Sequence, residues 1–344
     1  MAELIRHLEG VDLEVVSRRH DEDRWRLREG SVTGIVATAR PLRLLEEALW
    51  LGWSAPARRA DVWHGPHYTM PLLTRTSRVV TIHDMTFFSH PEWHEPTKVT
   101  FFRSAITRAA RDASAVVCVS ETTAEEFRSL SPRAPIVVAP HGVDIARFHP
   151  DPSGDRELLL AAGLETSRPV ILFVGTLEPR KGVDTLLQAF ARLSSAFPDA
   201  ELWLAGQPGW GVDLDGLMAS IPSASSVRRL GFVSDELLAP LLRRANVVAY
   251  PSRGEGFGLP VLEALACGTP VVTTRATVMD EVAGGCATLV SAGDESELAD
   301  ALLAVLDQGA LDDARRSLGV RRAGEFTWER SARLHVEAYR LATS

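Results

Sequence analysis

Short apolar runs alternate with amphipathic segments along most of the chain. Runs of four to six residues that are rich in apolar side chains and are bounded by glycine, proline or polar residues predict buried strands. These runs are residues 13–16, 32–37, 61–64, 79–82, 115–119 and 136–139 in the first half, and 170–174, 201–205, 227–230, 247–250, 271–274 and 287–290 in the second half.

Segments with apolar residues at every third or fourth position predict helices between many of these strands. They are residues 2–8, 42–53, 97–111, 121–129 and 328–341, and two further helices begin near Asp184 and Pro260. Because strands and helices alternate and the loops are short, each half is predicted to form a doubly wound parallel sheet of the α/β class.

The two alternations are separated by residues 145–168, which are interrupted by proline and glycine and contain a short helical piece. A stretch of this kind is typical of a domain boundary. The predicted domains are residues 1–150, residues 151–326 and a terminal helix over residues 327–344.

Composition narrows the class of protein. The chain has 344 residues, 45% of them hydrophobic and 24% charged, as expected for a soluble globular protein with two domains. Its net charge of −8 argues against a nucleic-acid partner. The three cysteines, Cys118, Cys267 and Cys286, are expected to be small buried residues in a reducing compartment. Because the sequence shows neither a signal peptide nor an apolar run of ~18 residues, we expect a cytoplasmic protein.

The most informative stretch follows the strand at residues 247–250. It is a glycine-rich loop that leads into a helix with Pro260 in its first turn. Right-handed βαβ connections place such a loop at the carboxyl edge of the sheet, where α/β folds bind ligands. Free backbone amides and the positive end of the helix dipole predict a phosphate site there. The amides belong to Gly256, Phe257, Gly258 and Leu259.

Two carboxylates bracket this loop, Glu255 within it and Glu263 in what we expect to be the first turn of the helix. They would repel a phosphate, so we expect them to accept hydrogen bonds from neutral hydroxyls, which indicates a nucleotide sugar or a similar ligand. The alternative is a glycine-rich turn with two solvated carboxylates. A dinucleotide-binding loop is excluded, because Leu259 stands where its third glycine belongs and Arg275 follows the next strand, where an acidic residue belongs.

Residues 255–264, with the sequence EGFGLPVLEA, resemble the signature of the retaining family 4 glycosyltransferases with the GT-B fold. The resemblance covers nearly the whole chain from residue 2 onward. It implies two Rossmann-like doubly wound domains that face each other across a cleft, with a last helix that crosses back to the first domain. It also implies that Glu263 binds the ribose of a nucleoside diphosphate sugar and that Glu255 lies near the donor sugar and orients it.

The family places an arginine and a lysine for the donor diphosphate in the loop that begins here at Gly175, and the resemblance assigns these roles to Arg180 and Lys181. An arginine fork and a lysine point charge both suit a diphosphate, although two loop cations are as often simply solvated. The segment that ends at Val233 resembles the family segment whose backbone touches the nucleotide base, without choosing between uracil and guanine.

His83 follows the strand at residues 79–82, where some relatives carry a histidine that meets the donor sugar. The resemblance therefore makes His83 a catalytic candidate, and the alternative is a polar residue that closes a strand. We expect the neighbouring Asp84 to order the loop.

Two histidine pairs, His64 with His67 and His90 with His94, could suggest a metal site. Proline and loop context deny each pair a shared helical face, and the family needs no metal, so no metal or other cofactor is expected. The basic helix at residues 97–111 could dock on a membrane, as in relatives with lipid-linked acceptors. Core packing is the favoured explanation, because Phe101, Phe102 and Ile106 are the kind of residues that form the core face of a Rossmann helix.

The beginning of the chain departs from the pattern. A first strand and a glycine loop should precede the helix at residues 2–8, and neither is present. We expect Met1 to be a truncated or misassigned start. The alternative is a genuine variant whose sheet lacks that strand.

The sequence therefore predicts a metal-independent, retaining glycosyltransferase that moves a sugar from a nucleoside diphosphate sugar to a hydroxyl of a glycan or lipid-linked acceptor, in glycan or polysaccharide synthesis. The surroundings of Thr81–Asp84 resemble mannosyl-transferring relatives, which favours GDP-mannose. No covalent nucleophile is evident, which favours front-face transfer. Peripheral contact with the inner face of the membrane stays open. So do two other functions: a sugar-nucleotide epimerase or hydrolase of the same fold, and a catalytically inactive nucleotide-binding homologue.

Overall fold

The computed structural model describes residues 2–18, 32–36, 59–211, 213–219, 221, 226–307 and 313–344. The chain forms two compact units: Met1–Gly142 with Thr327–Ser344, and Val143–Phe326. The first boundary thus lies after Gly142, before the predicted one at residue 150. The helix predicted at residues 42–53 falls outside the described residues.

All the strands within the described residues pair in parallel. In chain order they are β1 (Val15–Arg18), β2 (Val32–Val36), β3 (Val62–Gly65), β4 (Ser77–Ile82), β5 (Ala115–Cys118), β6 (Ile136–Val138), β7 (Val170–Val174), β8 (Glu201–Ala205), β9 (Val227–Gly231), β10 (Val247–Tyr250), β11 (Val271–Thr274) and β12 (Thr288–Val290).

The helices lie between and after these strands. They are α1 (Ala2–His7), α2 (Thr86–Ser89), α3 (Pro96–Asp112), α4 (Glu121–Arg128), α5 (Asp155–Ala161), α6 (Val183–Ala196), α7 (Leu214–Ala219), α8 (Asp235–Arg244), α9 (Leu259–Ala266), α10 (Val278–Ala283), α11 (Glu295–Asp307), α12 (Asp313–Gly324) and α13 (Trp328–Thr343).

The first unit contains a four-stranded sheet in the order β3-β4-β5-β6, and β1 pairs with β2 in a two-stranded sheet. Alternate residues of β4 enter different cores, because successive side chains of a strand point to opposite faces. Ile82 packs with Phe102 and Ile106 of α3 on one face. Val79 packs with Ala338 of α13 on the other face. The apolar side of α3 is therefore part of the core.

The second unit contains a six-stranded sheet in the order β9-β8-β7-β10-β11-β12. Its inner strands β8, β7, β10 and β11 are almost entirely buried, as expected for a parallel sheet with helices on both faces, whereas the edge strands β9 and β12 are mostly half-buried or exposed. The strand order reverses between β7 and β10. In an open α/β sheet, ligands bind outside the carboxyl ends of the strands at such a reversal. The loops that follow β7 and β10 are therefore the expected ligand-binding site.

Cys118 and Cys267 are buried, as predicted, but Cys286 is only half-buried, so the prediction is wrong for that residue. It follows two glycines with positive φ, Gly284 and Gly285, which hold the chain in a turn at the edge of the sheet. In the part of the chain that the structure describes, no helix has the length and apolarity that a membrane span requires.

Candidate active site

The loop that follows β7 and the loop that follows β10 are joined to each other. The first contains a 3-10 turn, Pro179–Lys181. The carbonyl oxygen of Arg180 accepts a hydrogen bond from the backbone N–H of Arg253 over 2.7 Å. The Arg253 guanidinium donates to the carbonyl oxygen of Pro179 over 2.6 Å and pairs with Asp184 over 2.6 Å. Two segments about 70 residues apart in sequence are thus held side by side where the strand order reverses.

Glu255 is the meeting point of the charged groups. Its Oε2 pairs with Arg180 over 2.9 Å, and its Oε1 pairs with Lys181. The same Oε1 accepts a hydrogen bond from the Tyr250 hydroxyl over 2.9 Å and lies 3.0 Å from the Ser252 hydroxyl oxygen. Only 11% of the Glu255 side chain is exposed. The alternative of two solvated carboxylates is therefore wrong for Glu255, and Lys181 is buried with it.

Burial and the neighbouring charges act differently on the three groups. Burial lowers the pKa of Lys181 below its ordinary value, although Glu255 opposes that fall. Burial disfavours the charged form of Glu255, but Lys181 and Arg180 outweigh burial and hold its pKa below the ordinary value. Burial also works against the Arg180 guanidinium, but Glu255 and Glu178 raise its pKa above the ordinary value. Glu178 reaches Arg180 Nε over 2.8 Å and anchors it from the other side. Two cations and two carboxylates thus cluster beside the end of β7, with Lys181 buried and the other three residues half-buried.

Glu263 is placed differently from the prediction. Helix α9 begins at Leu259, so Glu263 is its fifth residue and lies in the second turn. Among the described residues, its carboxylate has no hydrogen-bond or ion-pair partner, and the residue is only half-buried. Burial raises its pKa to about 7, Arg147 opposes the rise and Asp235 adds to it. A carboxylate with unused acceptors and some access to solvent is able to receive a hydroxyl-bearing ligand.

The glycine loop enters α9 as the sequence predicted. Gly258 is the N-cap at φ 93°, a left-handed conformation that glycine adopts without strain, and Pro260 lies in the first turn. The backbone N–H groups of Gly258 and Leu259 have no acceptor within the helix, because no helical residue precedes them by four positions. The side chain of Phe257 is buried and its ring lies 5.8 Å from that of Phe326, so this residue anchors the loop. Gly256 links this anchor to Glu255.

Two further predicted residues lie at the same sheet edge. The amide of Gly175 donates to the carbonyl oxygen of Ala205 over 2.9 Å, so Gly175 shapes the turn after β7 and its N–H is already used. Val233 follows β9 and is half-buried, next to Phe232, of which 74% is exposed.

His83 belongs to the first unit. Its Nε2 lies 2.8 Å from the carbonyl oxygen of Pro66, and its ring stacks on that of His141 at 5.7 Å between centroids. Burial lowers its pKa, so the ring is neutral at pH 7 and Nε2 donates to Pro66. Asp84 accepts hydrogen bonds from the Tyr68 hydroxyl over 2.9 Å and from the amide of Thr86 over 3.0 Å. It orders the start of α2, as predicted.

The histidine pairs are engaged in packing and hydrogen bonds. His64 bonds to Tyr339 and Thr81, and His94 lies 2.8 Å from the Thr86 hydroxyl. Within the described residues, no three His, Cys, Asp or Glu side chains are grouped so that they could hold a metal ion.

Comparison with known proteins places the chain in a family. Residues 1–147 match the family described as "Glycosyltransferase Family 4", and residues 168–308 match the family described as "Glycosyl transferases group 1". The O-antigen chain mannosyltransferase B of Escherichia coli is 31% identical over 300 residues, which cover 84% of this chain and 76% of the relative. The chain belongs to the family 4 glycosyltransferases.

Two other similarities bear on this glycosyltransferase. A D-inositol 3-phosphate glycosyltransferase of Geodermatophilus obscurus is 40% identical over 245 residues, 64% of this chain, and the chain spans about half of that relative, 51% of its length. A solved structure of Anabaena Alr3699/HepE in complex with UDP and glucose superposes with a TM-score of 0.63 at 26% identity, covering 76% of this chain and 71% of that one. With the two parallel-strand α/β units, these matches confirm the GT-B fold.

Four residues of this glycosyltransferase site were not singled out from the sequence. Tyr250 and Ser252 contact Glu255, Glu178 holds Arg180, and Arg253 joins the two loops. The signal that could have found them is position: each lies within five residues of a predicted charged residue, at the carboxyl edge of the sheet.

Proposed function

We propose that the protein is a retaining glycosyltransferase that uses a nucleoside diphosphate sugar, needs no metal, and transfers to a hydroxyl of a glycan or lipid-linked acceptor. Membership of the family supports sugar transfer as the activity. The mannosyltransferase relative supports mannose as the sugar, and with it GDP-mannose as the donor. The structural relative in complex with UDP and glucose supports binding of a nucleoside diphosphate and a sugar.

One observation carries the proposal: Lys181, Arg180 and Glu255 converge at the reversal of strand order, and Glu263, which has no partner among the described residues, lies on the helix that follows the same loop. Two adjacent cations suit a diphosphate, because an arginine fork and a lysine ammonium both bind phosphate oxygens. A carboxylate with free acceptors suits the two hydroxyls of a ribose.

These residues give each part of the reaction a role. Arg180 and Lys181 would stabilise the negative charge that develops on the diphosphate as it leaves. Glu255 would orient the donor sugar. In front-face transfer the acceptor oxygen bonds to the anomeric carbon on the side from which the diphosphate departs. The departing phosphate oxygen takes the acceptor's proton, and the configuration is retained.

The test is turnover of UDP-, GDP- and ADP-sugars with and without a glycan or lipid-linked acceptor. Glu263→Ala and Lys181→Ala should abolish transfer while the unfolding temperature shows an intact fold. Arg156→Ala, at an exposed position, is the matched control and should keep the wild-type rate. The product should keep the donor's anomeric configuration by NMR, and a chelator should leave the rate unchanged.

Other outcomes would point elsewhere. Donor consumed at the same rate without any acceptor would identify an epimerase or a hydrolase. Nucleotide binding without turnover, with the acceptor supplied, would identify an inactive homologue. Undiminished transfer by Glu263→Ala would refute the assignment of the site.

A further inference from the structure

The phenol of Tyr250 stands between the two members of the Lys181–Glu255 pair. Lys181 Nζ donates to the Tyr250 hydroxyl oxygen over 2.8 Å, and this hydroxyl donates to Glu255 Oε1 over 2.9 Å. Tyr250 is the last residue of β10 and only 1% exposed, so its ring is fixed by the sheet. A rigid strand thus presents one hydroxyl to both the cation and the carboxylate.

The direction of these hydrogen bonds follows from chemistry. An ammonium has three donors and no acceptor, so Lys181 fills a lone pair of the phenol oxygen, and the phenol hydrogen points to Glu255. The Ser252 hydroxyl is less committed, because its single hydrogen has the carbonyl oxygens of Arg180 and Gly254, at 3.1 and 3.3 Å, as further acceptors. Tyr250 is therefore the neutral donor dedicated to Glu255.

The two cations differ in how firmly they are held. Arg180 is tied on other sides, to Glu178 over 2.8 Å and to the carbonyl oxygen of Gly254 over 3.1 Å. Lys181 carries a compact charge on a flexible four-carbon stem. A donor diphosphate that arrives here draws Lys181 from Glu255 more readily than it draws Arg180. Glu255 is then a buried carboxylate that has lost a cation, a costly state unless other donors hold it.

We propose that Tyr250 is a positioning residue that keeps Glu255 ionised and in place while Lys181 turns from Glu255 to the donor's diphosphate. This inference rests on the proposed function, since it concerns the same donor. Tyr250 acts through Glu255 and does not contact the reacting atoms. Its hydroxyl matters most in the donor complex, because Lys181 itself does the same work in the free protein.

The surroundings of Glu255 define the titration that tests this role. Its charged and titratable neighbours come from two elements. Glu178, Arg180 and Lys181 lie on the loop after β7, and Tyr250 ends β10. A hydrogen bond to the charged form of an acid favours that form. Without the phenol, Glu255 should therefore take up a proton when a diphosphate captures Lys181.

The experiment is calorimetric titration at pH 5 in two buffers of different ionisation enthalpy, which yields the protons exchanged per bound nucleotide. The probe is whichever of UDP, GDP and ADP raises the unfolding temperature most. Tyr250→Phe should take up about 0.3 proton or more beyond the wild type, because Glu255 becomes protonated. Tyr339→Phe is the matched control, because it removes a largely buried hydroxyl that contacts His64 in the first unit. It should take up the same number of protons per bound nucleotide as the wild type.

Kinetics provide a second readout that a merely structural role would not move. The pH profile of kcat reports the donor complex and that of kcat/KM the free enzyme. In Tyr250→Phe, the apparent pKa on the acid side of the kcat profile should rise by about 0.5 to 1 pH unit, and that of the kcat/KM profile should rise by less. Replacement of Tyr250 by 3-fluorotyrosine keeps the shape and strengthens the donor, so it should lower both proton uptake and this apparent pKa. This variant serves equally if Tyr250→Phe does not fold.

The outcomes separate this inference from the function on which it rests. Equal proton exchange by Tyr250→Phe and the wild type, or a rate that falls uniformly at every pH, overturns the positioning role and leaves the proposed function intact. If none of the three nucleotides binds the wild type, both are overturned.

Discussion

Gly182 lies directly against the carbonyl oxygen of Pro251: a Cβ at residue 182 would stand 2.2 Å from that oxygen. Gly182 also has φ 70° and forms the N-cap of α6, immediately after Lys181. The loop that carries the two cations therefore turns into its helix at a point where it touches the loop that carries Glu255. Close approach of these two backbones is what allows the cations and the carboxylate to meet.

Replacement of Gly182 by alanine should therefore destabilise the second unit. The left-handed conformation costs an alanine about 1 kcal/mol, and displacement of the Pro251 backbone should add about 1–3 kcal/mol. Gly163→Ala is the matched control, because Gly163 has φ 68° but nothing within 4 Å of its added Cβ. Urea denaturation of both variants gives the two free energies of unfolding. Equal losses would show that the contact with Pro251 contributes nothing.

Glu263 should make nucleotide binding depend on pH near neutrality. Burial raises its pKa to about 7 in the free protein, while a carboxylate that accepts ribose hydroxyls is favoured in its ionised form. Below pH 7 the protein must release this proton to bind, so affinity should fall about tenfold for each pH unit. Calorimetry from pH 8 to pH 5.5 measures the trend.

The matched variant for that titration is Glu263→Gln, which should bind more weakly at pH 8 and lack this component of the pH dependence. The nucleotide's own phosphate titrates equally in both proteins, so their difference isolates Glu263. Parallel pH profiles for the two proteins would remove Glu263 from the binding site.

Much of the second unit could be predicted from its sequence. Four of its strands have the predicted bounds, and the other two, β9 and β12, differ by one residue at one end. Strands buried on both faces are continuous apolar runs, and here glycine, proline or polar residues end them. The helices α7, α8, α10, α11 and α12 were not predicted. In α8 an internal Pro240 interrupts the helical pattern, and the surrounding packing overrides it.

The identity of the site residues was predictable, but their pairing was not. Lys181 and Glu255 are 74 positions apart in sequence and meet only because β7 and β10 are neighbours in the sheet. The prediction of hydroxyl-binding carboxylates treated Glu255 and Glu263 alike. The structure separates them: Glu255 is saturated with donors, and Glu263 has none among the described residues. That difference depends on the tertiary contacts of each loop, which residue spacing does not encode.

The first unit should lose stability as the pH falls below 6.5. Burial lowers the pKa of His141 to about 3 and that of His335 to about 4, and it also holds the pKa of His64 well below the ordinary value. Below pH 6.5 the unfolded chain therefore binds more protons at these histidines than the folded unit does. The stability is fully present above pH 6.5 and is lost as the pH falls toward 4.

At pH 5 His141 and His335 should each cost on the order of 2 kcal/mol relative to pH 7. Thermal unfolding at the two pH values measures the loss. His335→Gln should flatten the dependence, and His90→Ala, at a position where 45% of the side chain is exposed, should leave it as in the wild type. A wild-type unfolding temperature that stays constant from pH 7 to pH 5 would contradict this account.

The pair of Asp155 and Arg243 should be essential to the stability of the second unit. The guanidinium binds the carboxylate through two hydrogen bonds of 2.6 and 2.7 Å, and each side chain is only 9% exposed. Loss of one partner leaves a buried charge uncompensated, so Asp155→Ala should lower the free energy of unfolding by about 3 kcal/mol or more. Arg156→Ala is the control: its pair with Glu165 leaves the Arg156 side chain 85% exposed, and solvent screens such pairs. Urea denaturation that shows similar losses for Asp155→Ala and Arg156→Ala would mean that burial does not strengthen the Asp155–Arg243 pair.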